Sequence, residues 1–264
     1  MSSNLSGLLM GLILVAPIAL PPNAAAQPVA ASPLASIDAD AVEALDRMGT
    51  ALRALHSFRL HASTTTDYVL DDGQKLALAG TVDYTVQEPD HFVVDIQSEK
   101  QHRQLFSDGK TLTIYSPRLK YSATLEGLDR STRALVASSA STYGVEFPLA
   151  DLFLWGTSAF PTDRFSSALH VGREVLDGDP TQHYAYRLPG VDWQVWISDV
   201  TALPRRLVIT SHSDPALPVY QASVDWDTKR AVRSSDLVFK PSGATRILLV
   251  PVAVAANSAD NGDK

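Results

Sequence analysis

Side chains able to bind metal ions or transfer protons are scattered along this chain. No pair of histidines has the i, i+4 spacing of a helical metal site, and no H-E-x-x-H motif occurs. His56 and His61 are an odd number of residues apart, so they would face opposite sides of a strand. We therefore predict no metal site. The seven histidines are His56, His61, His91, His102, His170, His183 and His212.

Motifs for nucleophilic or phosphate chemistry are also absent from the sequence. There is no G-x-S-x-G elbow, no P-loop and no G-x-G-x-x-G. The hydroxyl pairs Ser138-Ser139 and Ser141-Thr142 fall in a helical segment and are expected at its surface. The chain has no cysteine, which excludes thiol catalysis, thiolate metal sites and a lipidated N-terminal cysteine. We expect a protein that is not an enzyme, with no catalytic residue and no cofactor.

Composition favours an acidic, globular protein. Apolar residues make up 45% of the 264 residues and charged residues 19%, which is typical of a chain with a sizeable core. The formal net charge is -7 at pH 7, and the isoelectric point is near 5.4. Binding to nucleic acid requires a basic surface that neutralises phosphate, so we expect no nucleic-acid partner.

The N-terminal 26 residues have the pattern of a secretory signal peptide. An apolar run over residues 8–20 is followed by Ala24-Ala25-Ala26, an A-x-A site, and we predict cleavage after Ala26. The segment before the run has no Lys or Arg, which keeps an uncleaved membrane anchor open as the alternative. Residues 27–36, rich in Ala and Pro, are predicted to be a disordered leader. The protein is expected in the periplasm, soluble after cleavage.

Hydrophobic periodicity predicts one helix and then mainly strands. Apolar residues recur at helical spacing over residues 37–55, with Asp38 as the N-cap. The period then changes to two, and turn sequences such as Asp71-Asp72-Gly73 separate the alternating runs. Gly80, in the middle of one run, suggests a bulge or a bend, which would curve the sheet. The predicted strand segments are 58–68, 76–86, 92–96, 102–106, 112–114 continuing to Tyr121, 170–175, 182–188, the hairpin 190–209, 220–226 and 239–254.

Consecutive strands joined by short turns predict an antiparallel meander, which its own twist curves. The apolar face of such a sheet needs a cover. Two segments at residues 132–143 and 149–155 fit this role as short helices that end at Gly144 and Gly156. The second segment, LADLFLW, is either a core helix or a lid over a cavity.

We therefore predict an α+β, mainly β fold. Its centre is a curved, unclosed antiparallel β-sheet, a half-barrel covered on its concave side by a few helices. The interior has no Pro/Gly-rich linker, so one domain is expected over residues 37–254, with a flexible tail at residues 255–264.

The apolar face of this sheet is where a ligand would bind. In the hairpin, alternation places Trp193, Val195 and Ile197 on one face and Trp196 on the other. Such a face is either filled with core side chains or lines a cavity for an acyl chain or another apolar ligand. The cavity candidates are Phe58, Leu60, Val82, Tyr84, Phe92, Val94, Ile114, Trp193, Val195 and Ile197. The lid candidates are Leu135, Leu152, Phe153 and Trp155.

Three stretches of the sequence resemble a known family. They are GTVDYTVQEPDHFVVDI at residues 80–96, FSDGKTLTIYSP at residues 106–117 and VWISDVTALPR at residues 195–205. The first resembles the pattern of a strand, a Pro-centred turn and a strand in the LolA/LolB-type lipoprotein carriers. The second resembles the D-G-K hairpin of these carriers. The third resembles their W-I-D-x-x-T-x-L-P turn. Over about residues 42–239 the chain is similar to a family of predicted periplasmic proteins with a domain of unknown function in that superfamily. Ser198 stands where the carriers usually have Asp.

The resemblance implies an unclosed, strongly curved antiparallel sheet with helices on its concave side. In the carriers the cavity accepts lipoprotein acyl chains, but no functional polar residue of the carriers is assigned to a residue here. The first hypothesis is a periplasmic, non-enzymatic protein that binds or carries a lipid-like or acylated ligand. The second is a protein-interaction or sensor domain of the cell envelope, with a filled core, no small-molecule ligand and an envelope protein as partner. A monomer is expected.

Overall fold

The computed structural model describes residues 36–126, 132–145, 147–149, 151–155, 164–239 and 243–249. All of them belong to one compact unit that begins at Ala35. The predicted signal peptide with its cleavage site at Ala26, almost all of the predicted leader and the predicted tail lie outside the described residues.

The alternating runs of the sequence become strands, because successive side chains of a strand point to opposite faces of a sheet. The twelve strands of the described residues are β1 (Ser57–Val69), β2 (Lys75–Gln87), β3 (His91–Ser98), β4 (His102–Asp108), β5 (Thr111–Ser116), β6 (Tyr121–Glu126), β7 (Ser167–Leu176), β8 (Asp179–Leu188), β9 (Val191–Ser198), β10 (Pro204–Ser211), β11 (Val219–Asp227) and β12 (Thr245–Arg246).

These strands form one sheet in the order β12-β6-β5-β4-β3-β2-β1-β11-β10-β9-β8-β7. Pairing is antiparallel throughout, except that β12 pairs with β6 in parallel. The pairing of β1 with β11 joins two meanders that are far apart in sequence. Within the described residues β12 and β7 are the two edges, so the sheet is unclosed. The prediction of a mainly β fold built on an unclosed, largely antiparallel sheet is confirmed.

Gly80 does not form the predicted bulge. The register of β2 with β1 and with β3 runs without a break through this residue. A Cβ atom at Gly80 would lie only 2.6 Å from the carbonyl oxygen of Gln97, so the position needs glycine because another backbone approaches it closely. The register shifts lie instead in β7 after His170 and in β10 after Pro204.

The predicted last strand over residues 239–254 is much shorter among the described residues. Strand β12 contains two residues, Thr245 and Arg246. Phe239 is not in a strand, and its ring packs on that of Phe106 in β4 with 4.3 Å between centroids. The sequence places Pro241 and Pro251 in this stretch, and proline cannot donate to a strand ladder.

Helix α1 (Ala39–Ala54) lies within the predicted range of residues 37–55. Asp38 occupies the predicted N-cap position, but its side chain makes no capping hydrogen bond. Its Oδ2 instead accepts the backbone N–H of His170 in β7 at 3.1 Å. The reason is that the chain before α1 pairs with this edge strand through Ile37 and Ala168, which draws the carboxylate away from the helix.

Helix α2 (Thr132–Tyr143) has the predicted bounds. It ends at Gly144, whose φ of 65° is the left-handed conformation that closes many helices. Ser139 is fully buried rather than at the surface. Its hydroxyl donates to the carbonyl oxygen of Leu135 at 2.6 Å, which satisfies the group inside the core.

Helix α3 (Asp151–Leu154) is a single turn, much shorter than the predicted helix over residues 149–155. Leu149 has a φ of 61°, a left-handed conformation that no α-helix can include. Gly156, the predicted stop, lies outside the described residues.

One hydrophobic cluster joins α1 to a single face of the sheet, here called the inner face. The opposite face is called the outer face. The hydroxyl of Tyr186 in β8 donates to the carbonyl oxygen of Ala41 at 2.7 Å, which fixes the helix on the inner face. The buried apolar side chains of α1 are Ala41, Ala44, Leu45, Met48 and Leu52.

Candidate functional site

The ten predicted cavity residues all lie on the inner face. Cross-strand pairs such as Leu60 with Tyr84 and Tyr84 with Val94 place them side by side. Nine of them are buried in the shared hydrophobic cluster, and Ile114 is partly buried against it. The fold therefore brings the candidates together, while their contact with a ligand stays a prediction.

Residues 147–155, here called the cover segment, lie against this face; residue 150 is outside the described residues. The ring of Phe147 meets that of Phe92 edge-on, with 5.9 Å between centroids. The hydroxyl of Tyr84 donates to the carbonyl oxygen of Pro148 at 2.5 Å. Of the lid candidates, Leu135, Leu152 and Trp155 are buried, and the side chain of Phe153 lies outside the description.

Trp193 is the centre of an aromatic group on the inner face. Its ring stacks on Trp155 of the cover segment, with 5.4 Å between centroids, and on Tyr186, with 4.4 Å. Phe165 lies 6.3 Å away. The Arg53 side chain of α1 donates to the carbonyl oxygen of Trp155 at 3.1 Å. Helix, cover segment and sheet therefore meet at this point.

A cavity of about 130 Å³ borders this aromatic group, here called the tryptophan cavity. No charged side chain lines it among the described residues. A void of about 150 Å³ lined by apolar side chains can hold a benzene-sized molecule, so this cavity is too small for a whole acyl chain. Its lining residues are Leu149, Leu152, Trp155, Leu188, Val191, Trp193, Leu207, Ile209 and Tyr220.

Three predicted site residues border the tryptophan cavity: Trp193, Leu152 and Trp155. The other cavity candidates lie elsewhere in the core. Sequence reasoning missed Ile209 and Tyr220 as lining residues, although both follow a period of two. Ile209 pairs with Trp193 on one side and with Tyr220 on the other. That register is set by the alignment of the consecutive strands β9, β10 and β11, which alternation alone does not reveal.

A second cavity of about 190 Å³, here called the rim cavity, lies beside the first. Tyr220 borders both cavities, and the consecutive residues Pro148 and Leu149 border one each. The rim cavity is lined by Thr64, Thr66, Leu78, Gly80, Thr81, Val82, Ile96, Gln97, Ser98, Lys100, Gln101, Pro148 and Tyr220.

The buried tyrosines of the inner face are neutral hydrogen-bond donors. Burial raises the pKa of Tyr84 far above its ordinary value, and the neighbouring Tyr220 adds to this effect. Burial also raises the pKa of Tyr186, with a smaller contribution from Tyr184. Both hydroxyls therefore stay protonated near neutral pH, as their hydrogen bonds to backbone carbonyl oxygens require.

A larger cavity of about 500 Å³ lies away from the aromatic group, against Phe106 and Thr113, which pair with each other on the outer face. Polar side chains, including Gln87, His91 and Asp108, make up much of its lining. An acyl chain bound there would displace water from these polar side chains without replacing the lost hydrogen bonds. The tryptophan cavity is therefore the better candidate for an apolar ligand, although it is smaller.

Four histidines, His61, His91, His102 and His212, lie within ion-pair distance of an aspartate. His61 Nδ1 lies 2.7 Å from Asp83 Oδ1, and His102 Nε2 lies 3.2 Å from Asp95 Oδ1. In the part of the chain that the structure describes, no group of three or more His, Asp or Glu side chains could hold a metal ion.

A family model described as a predicted periplasmic protein (DUF2092) matches residues 41–250. No protein with a curated description matches the sequence. No helix among the described residues is long and apolar enough to cross a membrane.

Three solved structures are similar to this chain at low sequence identity. The lipoprotein LppX from Mycobacterium tuberculosis is 13% identical, with a TM-score of 0.47 and coverage of 74% of this chain and 98% of LppX. A LolA superfamily protein from Nitrosomonas europaea is 10% identical, with a TM-score of 0.34 and coverage of 75% and 97%. The MucA/MucB complex from Pseudomonas aeruginosa gives 13% identity, a TM-score of 0.35 and coverage of 76% and 62%. Similarities of this size support no statement about function.

Proposed function

The chain belongs to the DUF2092 family of predicted periplasmic proteins, and from this premise we propose that it is a non-enzymatic protein that binds or carries a lipid-like or acylated ligand. The proposal includes export by the signal peptide of residues 1–26. It also includes a single domain over residues 37–254, in which helices cover the concave side of a half-barrel.

The tryptophan cavity carries this proposal. Its lining is apolar and aromatic, and no charged side chain borders it among the described residues. Each methylene that leaves water for such surroundings contributes about 0.8 kcal/mol. A dozen methylenes are therefore enough for firm binding without any polar contact. An apolar chain is the ligand that such a lining favours.

The size of the cavity implies that the cover segment moves when a ligand binds. Trp155 covers Trp193 by stacking, and an acyl chain could replace this contact while keeping the apolar surface of Trp193 buried. Leu149 relaxes from its left-handed conformation if the segment leaves, and a non-glycine residue held there costs roughly 1–3 kcal/mol. The hydrogen bonds that this movement breaks include those accepted by the Pro148 and Trp155 carbonyl oxygens.

The test is calorimetric titration of the protein with 1-decanol. Ile209 lines the tryptophan cavity, and the adjacent Val208 points to the outer face, so the two positions form a matched pair. Ile209→Trp fills the cavity and is expected to weaken decanol binding at least tenfold. Val208→Trp adds the same ring to the same strand and is expected to leave binding unchanged. Equal decanol affinity in the wild-type protein and Ile209→Trp contradicts the proposal.

The second candidate function is a protein-interaction or sensor domain with no small-molecule ligand. The small volume of the tryptophan cavity, about 130 Å³, favours it, because most of the inner face is already packed with side chains. This function predicts that the wild-type protein does not bind decanol, and that its partner is a protein of the cell envelope.

A further inference from the structure

The inner face changes from apolar to polar along its strands. Side chains two residues apart share a face, so the inner positions can be followed along each strand. In β1 these positions are Phe58, Leu60 and Ala62, all buried, and then Thr64 and Thr66, which are more exposed. In β3 they are Phe92, Val94 and Ile96, all buried, and then Ser98. The polar ends of these strands border the rim cavity.

The rim cavity contains a positive charge and no negative one among its described lining residues. The chain has 29 acidic residues and a net charge of -7, so a lining without any carboxylate differs from the molecule as a whole. The cation is Lys100. The other polar lining side chains are the uncharged hydroxyl and amide groups of Thr64, Thr66, Thr81, Gln97, Ser98 and Gln101.

Lys100 has no carboxylate within ion-pair distance among the described residues. Its Nζ lies 3.0 Å from the centroid of the Tyr68 ring, a cation–π contact that leaves the positive charge uncompensated. The nearby Lys75 differs, because its Nζ lies 3.0 Å from Asp67 Oδ2. An ammonium group beside several hydroxyl and amide groups is a suitable receptor for an anion.

We propose that the ligand of the inner face has an anionic head group, which Lys100 binds at the rim cavity while the acyl chain extends to the tryptophan cavity. The inference rests on the proposed function and adds the chemical class of the ligand. The two cavities share Tyr220, and they are bordered by the consecutive cover-segment residues Pro148 and Leu149. Movement of the cover segment therefore opens one continuous path from the apolar to the charged end.

The experiment compares decanoate with 1-decanol, which has the same chain length and no charge. Lys100→Gln is expected to weaken decanoate binding by about two- to fivefold, the size of one exposed ion pair, and to leave decanol binding unchanged. Lys110→Gln removes the same charge from an exposed turn outside the rim cavity and is expected to change neither affinity. Decyl phosphate, as a third probe, shows whether a carboxylate or a phosphate head is preferred.

The outcomes separate this inference from the proposed function. If Lys100→Gln leaves decanoate binding unchanged, or weakens both probes equally, the anionic head group is wrong, while decanol binding still supports the apolar site. If the wild-type protein binds neither probe, the proposed function and the inference both fail. High salt should reduce the preference for decanoate in the wild-type protein, because ions screen an exposed pair.

Discussion

Trp193 and Trp196 are three residues apart in β9 and equally buried, with 5% and 7% of their surface exposed, but their surroundings differ. Trp193 lies on the inner face, where it stacks on Trp155 beside a cavity. Trp196 lies on the outer face. Its indole N–H donates to Glu174 Oε2 at 2.6 Å, and its ring stacks on His183 with 3.8 Å between centroids.

The comparison teaches that burial alone does not identify a binding site. Both tryptophans lose nearly all contact with water, but the outer one is covered by polar side chains, of which Glu174 accepts its indole N–H. The inner one is surrounded by rings and aliphatic groups that leave space next to it. An apolar ligand can use the inner surroundings, because an acyl chain that replaces the Trp155 ring keeps the apolar surface of Trp193 out of water.

Trp193→Ala should give the largest effect. The substitution removes a ring that packs on Trp155, Tyr186 and Phe165, so the free energy of unfolding is expected to fall by about 3–5 kcal/mol. Urea denaturation followed by circular dichroism measures this change. If Trp193→Ala lowers the free energy of unfolding no more than Trp196→Ala does, the proposed difference between the two faces is wrong.

Trp196→Phe keeps a ring on the outer face but removes the indole N–H. The free energy of unfolding is expected to fall by about 1.5–3 kcal/mol, the contribution of a hydrogen bond to a charged acceptor. Combining it with Glu174→Ala, which removes the acceptor, in a double-mutant cycle by urea denaturation isolates this bond. Full additivity of the two losses would show that the bond contributes nothing.

Tyr186→Phe tests how α1 is held on the inner face. It removes the hydrogen bond from the Tyr186 hydroxyl to the carbonyl oxygen of Ala41, and a loss of about 1 kcal/mol is expected. Compared with the wild-type protein, the backbone amides of α1 should exchange their hydrogens faster in Tyr186→Phe, while those of β9 should not. Unchanged exchange in α1 would mean that apolar packing alone holds the helix.

A change of pH should produce the smallest effect, on the outer face. Burial lowers the pKa of His183, so the folded state disfavours its protonation relative to the unfolded chain, whose histidine pKa is about 6.5. The free energy of unfolding should therefore decrease as the pH falls below about 6.5. His183→Gln should reduce this decrease, measured by urea denaturation at about pH 7.5 and about pH 5. His61→Gln is the control, and an equal effect of both substitutions would contradict the prediction.

Much of the fold was predictable from the sequence because it depends on local patterns. Alternation located most of the strands, and Gly144 marked the end of α2. Asp38 shows where local rules fail, because its carboxylate caps no helix and binds an edge strand more than a hundred residues away. Gly80 is a second case in which a local rule fails. The position requires glycine because a neighbouring backbone approaches it closely, not because the strand forms a bulge.

The candidate site was predictable only in part. Sequence reasoning identified the face that carries Trp193, and it included Leu152 and Trp155 as lid residues. It did not single out Ile209 and Tyr220, because their place beside Trp193 depends on the pairing of β10 with β9 and β11. The polar rim at Lys100 was also missed, since it appears only when the ends of β1, β2 and β3 lie side by side.

The most direct test of ligand binding is native mass spectrometry of the protein purified from the periplasm without detergent. The proposed function predicts an added mass of a lipid or acylated molecule in the wild-type protein and in Val208→Trp, and its loss in Ile209→Trp. A bare protein mass that stays unchanged after incubation with phospholipid and an acylated peptide would contradict it, and would favour an envelope protein as the partner.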